Sequence, residues 1–252
     1  MKVGLFGFGK AGRAVASVFL QKEEVELCWI VRQSKLLQHR SVTEFLGIES
    51  DEGCLIFSKD EWSAAQLFET HPVDVIIDFS GAEGITFYGK EAANKGIAIV
   101  SAISEYSAEN IEFLKEISDL TKVLWSPNIT IGINFLILAA KVLKNIAPYT
   151  DIEIIEEHFK DKKGTSGTAK KIAQALEIEE DDIKKIRAGG IIGHHEILFG
   201  FPYQTVRLRH DSISREAFGN GALFAAMNIL NREKGFYTME DLLIPYFNLI
   251  SP

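Results

Sequence analysis

The sequence is short of cysteine and has no long run of apolar residues. Its 252 residues include two cysteines, Cys28 and Cys54, too few for a disulfide framework and without CxxC or Cys/His ligand spacing. We therefore predict a cytoplasmic setting and no metal site. No apolar stretch approaches the roughly 18 residues that a membrane-spanning helix needs, and Met1-Lys2 leads straight into a strand pattern. The sequence thus predicts no membrane partner and no signal peptide.

Basic residues are also in deficit. The 27 Lys and Arg residues against 35 Asp and Glu residues give a formal net charge of −8. This balance argues against nucleic acid as a partner, although an acidic protein can still hold a local basic pocket. Apolar residues, in contrast, are plentiful: 46% of the chain is hydrophobic, including 17 Phe. This content excludes a disordered chain, and the length fits one large domain or two small ones.

The first half of the chain alternates apolar runs with helical stretches. Runs typical of buried parallel strands lie at 3–6, 25–31, 73–79, 97–101 and 123–125. Helical stretches lie at 11–22, 62–70, 87–95 and 108–120. This alternation predicts an α/β fold with a Rossmann-type doubly wound parallel sheet and helices on both faces.

The pattern changes near residue 129. A helix over 132–145 is predicted to carry the chain away from the first sheet. Strands are then predicted at 151–159, 195–201 and 204–210, with a helix over 168–176. These elements predict a smaller α+β domain with an open mixed sheet. A last helix over 215–231 and a tail over 235–243 complete the prediction.

A glycine motif follows the first strand directly and opens the first helix. In Gly7-Phe8-Gly9-Lys10-Ala11-Gly12, Gly7 permits a tight turn and Gly9 lets a pyrophosphate approach the backbone. Gly12 allows close packing of helix on strand, and the start of the helix offers free N–H groups to an anion. We predict that Gly7, Gly9, Lys10 and Gly12 bind a dinucleotide. The alternative is an ordinary tight turn between strand and helix.

The end of the second strand indicates which dinucleotide binds. NAD-specific sites commonly have Asp or Glu there, for the ribose 2′-hydroxyl. Here the strand ends in Arg32-Gln33-Ser34-Lys35, which has no acidic residue. Arg32 can grip a 2′-phosphate, with Ser34 and Lys35 as further donors. We predict that NADPH is preferred and NADH possible; the alternative is a solvated polar loop.

A basic loop in the second half suits an anionic substrate. Residues 156–169 read Glu-Glu-His-Phe-Lys-Asp-Lys-Lys-Gly-Thr-Ser-Gly-Thr-Ala. Ser166, Gly167 and Thr168 would present N–H groups and hydroxyls to a carboxylate at a helix start. Lys162 would add positive charge, and His158 is the natural proton donor. From the residues alone, a solvated surface loop is an equally good interpretation.

This segment resembles the signature of the dihydrodipicolinate reductase family, Glu-x-His-His-x-x-Lys-x-Asp-x-Pro-Ser-Gly-Thr-Ala. Glu156, His158, Lys162 and residues 166–169 match it. Further segments match the family in order along nearly the whole chain, at 78–80, 126–134, 187–196 and 210–222.

The resemblance implies NAD(P)H-dependent reduction of a conjugated cyclic imine dicarboxylate. The expected reaction converts 4-hydroxy-tetrahydrodipicolinate to tetrahydrodipicolinate in lysine and diaminopimelate biosynthesis. In this scheme His158 is the general acid and Lys162 stabilises developing charge. The substrate-binding residues are Ser166, Gly167 and Thr168.

The resemblance also implies a cofactor lining and a domain division. The expected lining consists of Phe79, Ser80, Ser101, Ile103 and Asn128. Residues 1–128 and 215–252 would form the dinucleotide-binding domain, in which Arg215 and Phe218 are candidates to cover the cofactor. Residues 129–214 would bind the substrate and join the subunits of a homotetramer.

Three departures from the family pattern put the substrate in question. Phe159 replaces the second histidine of the signature, and the loop at 163–165 is one residue shorter. Ser101-Ala102-Ile103-Ser104 stands where the family has Gly-Thr-Thr-Gly. Two alternatives therefore stay open: a divergent relative that reduces another imine or keto acid, and a non-catalytic NADPH-binding regulator.

Two adjacent pairs resemble catalytic or metal-binding pairs. His194-His195 and Glu156-Glu157 are each neighbours on a predicted strand, so their side chains should point to opposite faces. We predict that His194 faces solvent and that His195 is structural or faces the substrate.

Overall fold

The computed structural model describes residues 1–49 and 53–248, which form two sheets with their helices. The strands of the first sheet are β1 Lys2–Phe6, β2 Glu26–Arg32, β3 Leu55–Ser58, β4 Val75–Asp78, β5 Ala98–Ser101, β6 Lys122–Trp125 and β11 Gly235–Tyr237. Those of the second are β7 Asp151–His158, β8 Lys184–Arg187, β9 His194–Phe201 and β10 Gln204–Asp211. The helices are α1 Lys10–Phe19, α2 Val42–Leu46, α3 Ala64–Thr70, α4 Gly84–Asn94, α5 Ala108–Ser118, α6 Ile131–Ile146, α7 Gly167–Leu176, α8 Glu216–Leu230 and α9 Met239–Asn248.

The first sheet is parallel throughout and has the strand order β11-β6-β5-β4-β1-β2-β3. Its central strands are buried on both faces because helices cover both, which explains their continuous apolar sequences. Two buried clusters result, one on each face, containing Leu5 and Ile77 on one side and Ile76 and Ile99 on the other. The prediction of a Rossmann-type doubly wound sheet is confirmed.

Three short elements that belong to the first sheet or pack beside it were not predicted: β3, α2 and β11. The strand β3 and the helix α2 have four and five residues, too few to show a period. The tail predicted over 235–243 is wrong, since β11 pairs with β6 as the seventh strand and α9 follows it. A three-residue edge strand is recognisable only from the neighbour with which it pairs.

The second sheet is mixed, with the order β10-β9-β7-β8. β9 runs antiparallel to β7 and β10, whereas β8 runs parallel to β7. The helices α6 and α7 pack on one face, where Ile154 and Phe199 meet Ile172 and Leu176. The predicted open mixed sheet is thereby confirmed, although β8, with the sequence Lys-Lys-Ile-Arg, was not foreseen.

Helix α8 carries the chain back to the first sheet. It packs against α1, and Gly219 permits this approach because a Cβ there would lie 2.7 Å from the Val18 side chain. Ala222, Ala225 and Ile229 have no exposed surface and belong to the core of the first sheet. Residues before and after the second sheet therefore share one core.

Among residues 1–49 and 53–248, no helix combines the length and the apolar character needed to cross a membrane.

Candidate active site

The glycine motif forms an open cradle at the start of α1. Gly7 has φ +96°, and a Cβ there would lie 2.5 Å from the Phe79 carbonyl oxygen. A Cβ on Gly12 would overlap the Gly7 carbonyl oxygen. Gly9 precedes the helix, and no heavy atom lies within 4 Å of the place where its Cβ would be. These residues fit a pyrophosphate, because the start of α1 has free N–H groups and no side chain of the glycine motif blocks a ligand from reaching them.

The basic residues predicted for the 2′-phosphate lie at the same edge of the sheet. Arg32 ends β2 next to the glycine turn, half-buried, and its Nη1 donates to the Leu36 carbonyl oxygen at 2.8 Å. Ser34, Lys35 and Lys10 are exposed. The guanidinium thus shapes the loop in which Ser34 and Lys35 lie.

A small cavity of about 240 Å³ opens beyond β4 and β5. Phe79, Ser80 and Ile103 line it together with residues 81, 82, 102, 104 and 105. The turn that contains Ser80 is held from below by Asp78, whose carboxylate accepts from the Ser80 N–H at 2.8 Å and the Ser80 hydroxyl at 2.6 Å. Burial raises the pKa of Asp78, although its hydrogen bonds oppose that shift.

Ser101, predicted to belong to the cofactor lining, is not among the residues that line the small cavity. Its side chain is fully buried, and its hydroxyl is bonded to the Tyr106 hydroxyl at 2.8 Å and accepts from the Ile103 N–H at 3.4 Å. As the last residue of β5 it points into the protein beneath the turn. The side chain therefore supports the turn and does not face the cavity.

A larger cavity, about 1220 Å³, lies between the two sheets, and Ser104 borders both cavities. From the second half of the chain, His158, Phe159, Lys162 and residues 166–168 line it. Arg215 and Phe218 also line it, and the Phe218 ring lies 6.3 Å from the Phe79 ring. The structure thus brings the predicted substrate residues to the edge of the first sheet where the glycine turn lies.

Asn128 connects the two halves at the chain crossing. Its Nδ2 donates to the Thr168 hydroxyl at 3.1 Å, while its Oδ1 accepts from the Thr130 N–H and hydroxyl. Asn128 also lines the large cavity. A predicted cofactor residue and a predicted substrate residue are therefore in direct contact.

Helix α7 begins inside the predicted substrate loop. Ser166 caps it by accepting from the Ala169 N–H at 3.0 Å, and the helix starts at Gly167. The first N–H groups of a helix have no partner within the helix, so Gly167 and Thr168 offer donors to an anion in the cavity. Lys162 lies on the cavity wall nearby.

His158 is buried at the end of β7 and reaches the same cavity. Its Nε2 faces Gly193, where a Cβ would approach to 3.3 Å, and its Nδ1 lies 3.6 Å from Glu156 Oε2. Burial lowers the pKa of His158, the Glu156 carboxylate raises it, and the charges of Lys162 and Arg187 lower it further. The net shift is downward.

The adjacent pairs separate as alternation requires, with one correction. Glu156 is fully buried, whereas Glu157 lies on the other face, half-buried. His195 is buried near His158, and burial lowers its pKa to about 4. His194, predicted to face solvent, is instead only 3% exposed, with Nδ1 2.7 Å from Asp211 Oδ1. The cross-strand pair of β9 and β10 covers it.

Glu156, His158 and His195 place one potential metal-ligand atom each within 4.8 Å of one another. However, the Glu156 carboxylate is already paired with the Arg187 guanidinium, at 2.5 Å. That positive charge opposes a second cation at the same carboxylate. The absence of a metal thus stays a prediction.

Several residues that shape the site had no role assigned to them from the sequence. Arg187 pairs with Glu156, and Asp78 and Tyr88 form a buried hydrogen bond of 2.7 Å below the small cavity. The period of two along β7 does place Glu156 on the same face as His158. Arg187 is known from the sequence only as the first residue of the matching segment 187–196, and β8 has no recognisable strand pattern, so nothing in the sequence pairs it with Glu156.

The fold and the site define a nicotinamide-dependent oxidoreductase built on two sheets. The glycine turn lies at the carboxyl edge of the doubly wound sheet, and residues that follow strands at that edge, such as Ser104 and Ser126, share one cavity with a basic, histidine-containing wall. Comparison with known proteins specifies the family. Residues 1–129 match the family model described as dihydrodipicolinate reductase, N-terminus, and residues 129–243 match that described as dihydrodipicolinate reductase, C-terminus. The chain belongs to the dihydrodipicolinate reductase family, which confirms the resemblance found in the sequence.

Individual relatives agree with this assignment. The chain is 34% identical over 262 residues to 4-hydroxy-tetrahydrodipicolinate reductase of Aquifex aeolicus (strain VF5), covering 93% of this chain and 95% of the relative. It is 36% identical over 192 residues to the protein of the same name from Caldanaerobacter subterraneus subsp. tengcongensis, covering 68% and 76%.

A solved structure has the same fold over nearly its whole length. The dipicolinate-bound dihydrodipicolinate reductase from Paenisporosarcina sp. TG-14 superposes with a TM-score of 0.78 at 22% identity, covering 96% of this chain and 98% of that one. The likeness extends over both halves.

Proposed function

We propose that this protein reduces 4-hydroxy-tetrahydrodipicolinate to tetrahydrodipicolinate in lysine and diaminopimelate biosynthesis. The observation that carries the proposal is the shared cavity, in which His158, Lys162 and the start of α7 face the cofactor edge of the first sheet. The family and the names of the relatives support it. Relative to the substrate, the product has lost its hydroxyl group as water and gained two hydrogens, one as hydride and one as a proton.

The cofactor is held, in this proposal, along the carboxyl edge of the first sheet. Gly7, Gly9, Lys10 and Gly12 surround the pyrophosphate, and Arg32 with its loop receives the adenosine end. Reduced nicotinamide, when bound, supplies the hydride. Phe79, Ser80 and Ile103 line the small cavity and would hold the nicotinamide there.

The remaining chemistry belongs to the second half. Ser166, Gly167 and Thr168 bind one substrate carboxylate at the start of α7, and Lys162 adds a positive charge. His158 donates the proton from Nε2, the ring nitrogen beside Gly193. Its proton is released readily, because burial holds the pKa of His158 below the ordinary value.

The test is NADPH oxidation by the purified protein with 4-hydroxy-tetrahydrodipicolinate, followed at 340 nm. We expect His158→Gln to lower kcat by at least roughly 100-fold, the usual contribution of a general acid, with little change in cofactor affinity. His71→Gln is the matched control, since His71 lies outside the residues lining either cavity. Full turnover by His158→Gln would refute the role of His158.

The preference for NADPH is a separate proposal, supported by Arg32, Ser34 and Lys35. We expect Arg32→Gln to raise the KM for NADPH roughly tenfold, about 1.4 kcal/mol, and to leave the KM for NADH nearly unchanged. NADH thus serves as the control within one variant. Equal changes with both cofactors would show that Arg32 only shapes its loop.

One observation favours a second candidate, reduction of a less polar cyclic imine or keto acid. Phe159 is 45% exposed and Ile192 61% exposed, and both line the large cavity. Measuring kcat/KM for the dicarboxylate and for less polar cyclic imines and keto acids decides between the two candidates, because the first proposal requires the dicarboxylate to have the highest value. A non-catalytic regulator is the weaker alternative, since it has no need of His158 and Lys162 in a shared cavity.

We also propose a cytoplasmic homo-oligomer, a tetramer by family resemblance. Thr205, Arg207 and Arg209 are exposed on the face of β10 opposite to α6 and α7. That face suits a second copy of the sheet, with charged pairs such as Arg207–Glu196 at the contact. Light scattering coupled to gel filtration measures the mass, and a monomer at micromolar concentration would contradict the proposal.

A further inference from the structure

A buried carboxylate lies behind the histidine that we propose as the proton donor. Glu156 has no exposed surface and lies two residues before His158, on the same face of β7. Glu156 is not among the residues that line either cavity, so its side chain cannot contact a cofactor or a substrate bound there. Its partners must therefore explain why a charge is buried there.

Three elements of the site converge on this one side chain. Glu156 Oε2 accepts from the Ser166 N–H at 3.0 Å and lies 3.6 Å from His158 Nδ1. Glu156 Oε1 accepts from Arg187 Nη2 at 2.5 Å. We call Glu156, His158, Ser166 and Arg187 the Glu156 cluster.

Arg187 extends the cluster to the lysine loop. Its Nη2 also donates to the Gly164 carbonyl oxygen at 2.7 Å, and its Nε donates to the Lys162 carbonyl oxygen at 3.1 Å. The guanidinium therefore fixes the backbone on both sides of Lys163. Glu156 in turn fixes the guanidinium.

We infer that Glu156 is a positioning residue, which orients the proton donor, the carboxylate-binding start of α7 and the lysine loop as one unit. The inference rests on the proposed function for its kinetic consequences. The carboxylate lies 3.6 Å from His158 Nδ1, which is beyond hydrogen-bond length, and buried Nδ1 has no hydrogen-bond partner among the described residues, so Glu156 acts on the ring through its charge. That negative charge on the Nδ1 side stabilises the imidazolium before the proton is given up from Nε2, which lies beside Gly193.

The charges around His158 set the direction of the expected pH effect. They are Glu156 on β7, Lys162 in the following loop, Arg187 on β8 and His195 on β9. Glu156 is the acidic member, and its own pKa is lowered: burial raises it, but the bonds from Ser166 and Arg187 outweigh burial. Removing its charge should lower the pKa of His158.

The test compares Glu156→Gln with Glu157→Gln, which removes the same charge one residue away on the opposite sheet face. We expect Glu156→Gln to lower kcat roughly 100-fold. We also expect the alkaline limb of the kcat profile to move to lower pH by roughly one unit, because protonated His158 is required. The KM for the dicarboxylate should rise several-fold as the start of α7 loosens. Glu157→Gln should leave all three close to wild type.

A second measurement does not depend on turnover. In ¹⁵N-labelled protein, the His158 ring signals, assigned with His158→Gln, should titrate at lower pH in Glu156→Gln, and by a smaller amount in Glu156→Asp. A lowered melting temperature with an unchanged His158 titration and an unchanged pH profile would reduce Glu156 to a structural residue and overturn the inference. A shifted titration in a protein that does not reduce 4-hydroxy-tetrahydrodipicolinate would support it while refuting the proposed function. If Glu156→Gln does not fold, an unchanged titration in Glu156→Asp overturns the inference.

Discussion

Replacing Ser166 by alanine removes two interactions whose sizes can be worked out separately. The hydroxyl caps α7 through the Ala169 N–H, and a lost cap of this kind costs about 1 kcal/mol. The same hydroxyl lies 3.0 Å from His195 Nε2, in a site where both side chains are buried. A buried polar group left without its partner costs about 1–3 kcal/mol more. We expect Ser166→Ala to lower the free energy of unfolding by about 2–4 kcal/mol.

The measurement is thermal and urea unfolding with a matched control. Ser63 caps α3 through the Gln66 N–H, and its hydroxyl also donates to Gln66 Oε1, but both groups are exposed. Ser63→Ala should therefore lose about 1 kcal/mol, without the cost of a buried partner left unpaired. For a chain of this size, the melting temperature should fall by about 4–16 °C for Ser166→Ala and about 2–4 °C for Ser63→Ala.

Kinetics add an independent readout. The lost hydrogen bond to a substrate carboxylate, about 1.5 kcal/mol, should raise the KM for the dicarboxylate roughly tenfold in Ser166→Ala. Ser63→Ala should leave KM unchanged. Equal losses of stability in the two variants would refute the reasoning about His195, and an unchanged KM would refute the carboxylate contact.

Three further predictions follow from the same structure. Burial lowers the pKa of His195 from 6.5 to about 4, so unfolding free energy should be highest above pH 6.5 and fall by about 3 kcal/mol towards pH 4; His195→Gln should flatten this part of the pH–stability curve. Gly12→Ala forces a Cβ onto the Gly7 carbonyl oxygen, so the melting temperature should drop and NADPH affinity should weaken, as calorimetry would show. Asn128→Ala removes the bond to Thr168, so KM should rise for cofactor and imine together; a change in only one would contradict their coupling through Asn128.

The sequence predicts the parts of the fold that repeat. Buried parallel strands such as β4 are continuous apolar runs, and α1 and α6 have apolar residues at helical spacing, so both sheets could be foreseen. Strands that form only by pairing with a neighbouring strand could not be foreseen. β11 has three half-buried residues and forms only because β6 leaves an edge free for it, and β8 exists because β7 pairs with it.

The candidate site divides in the same way. Gly7, His158 and Lys162 lie in motifs of consecutive residues, so the places of Gly7 in the turn and of His158 and Lys162 on the large cavity could be predicted, while their roles stay predictions. Ser101 was predicted to meet the cofactor, yet the side-chain direction at the end of β5 turns it inward. Arg187 pairs with the Glu156 carboxylate, which lies 31 positions earlier in the chain. A pattern of neighbouring residues cannot predict a contact over that separation.

The return of α8 and β11 to the first sheet also affects how the protein is made. The core of the first sheet includes Ala222, Ala225 and Ile229, and its seventh strand ends at Tyr237. During synthesis from the amino terminus, the nucleotide-binding half therefore cannot be completed until the chain up to Tyr237 has left the ribosome. The substrate-binding half, contained between α6 and β10, can form earlier, although it begins later in the sequence. A premature stop after residue 214 would leave the first sheet with an uncovered apolar face, so an incomplete chain would be a target for aggregation and degradation.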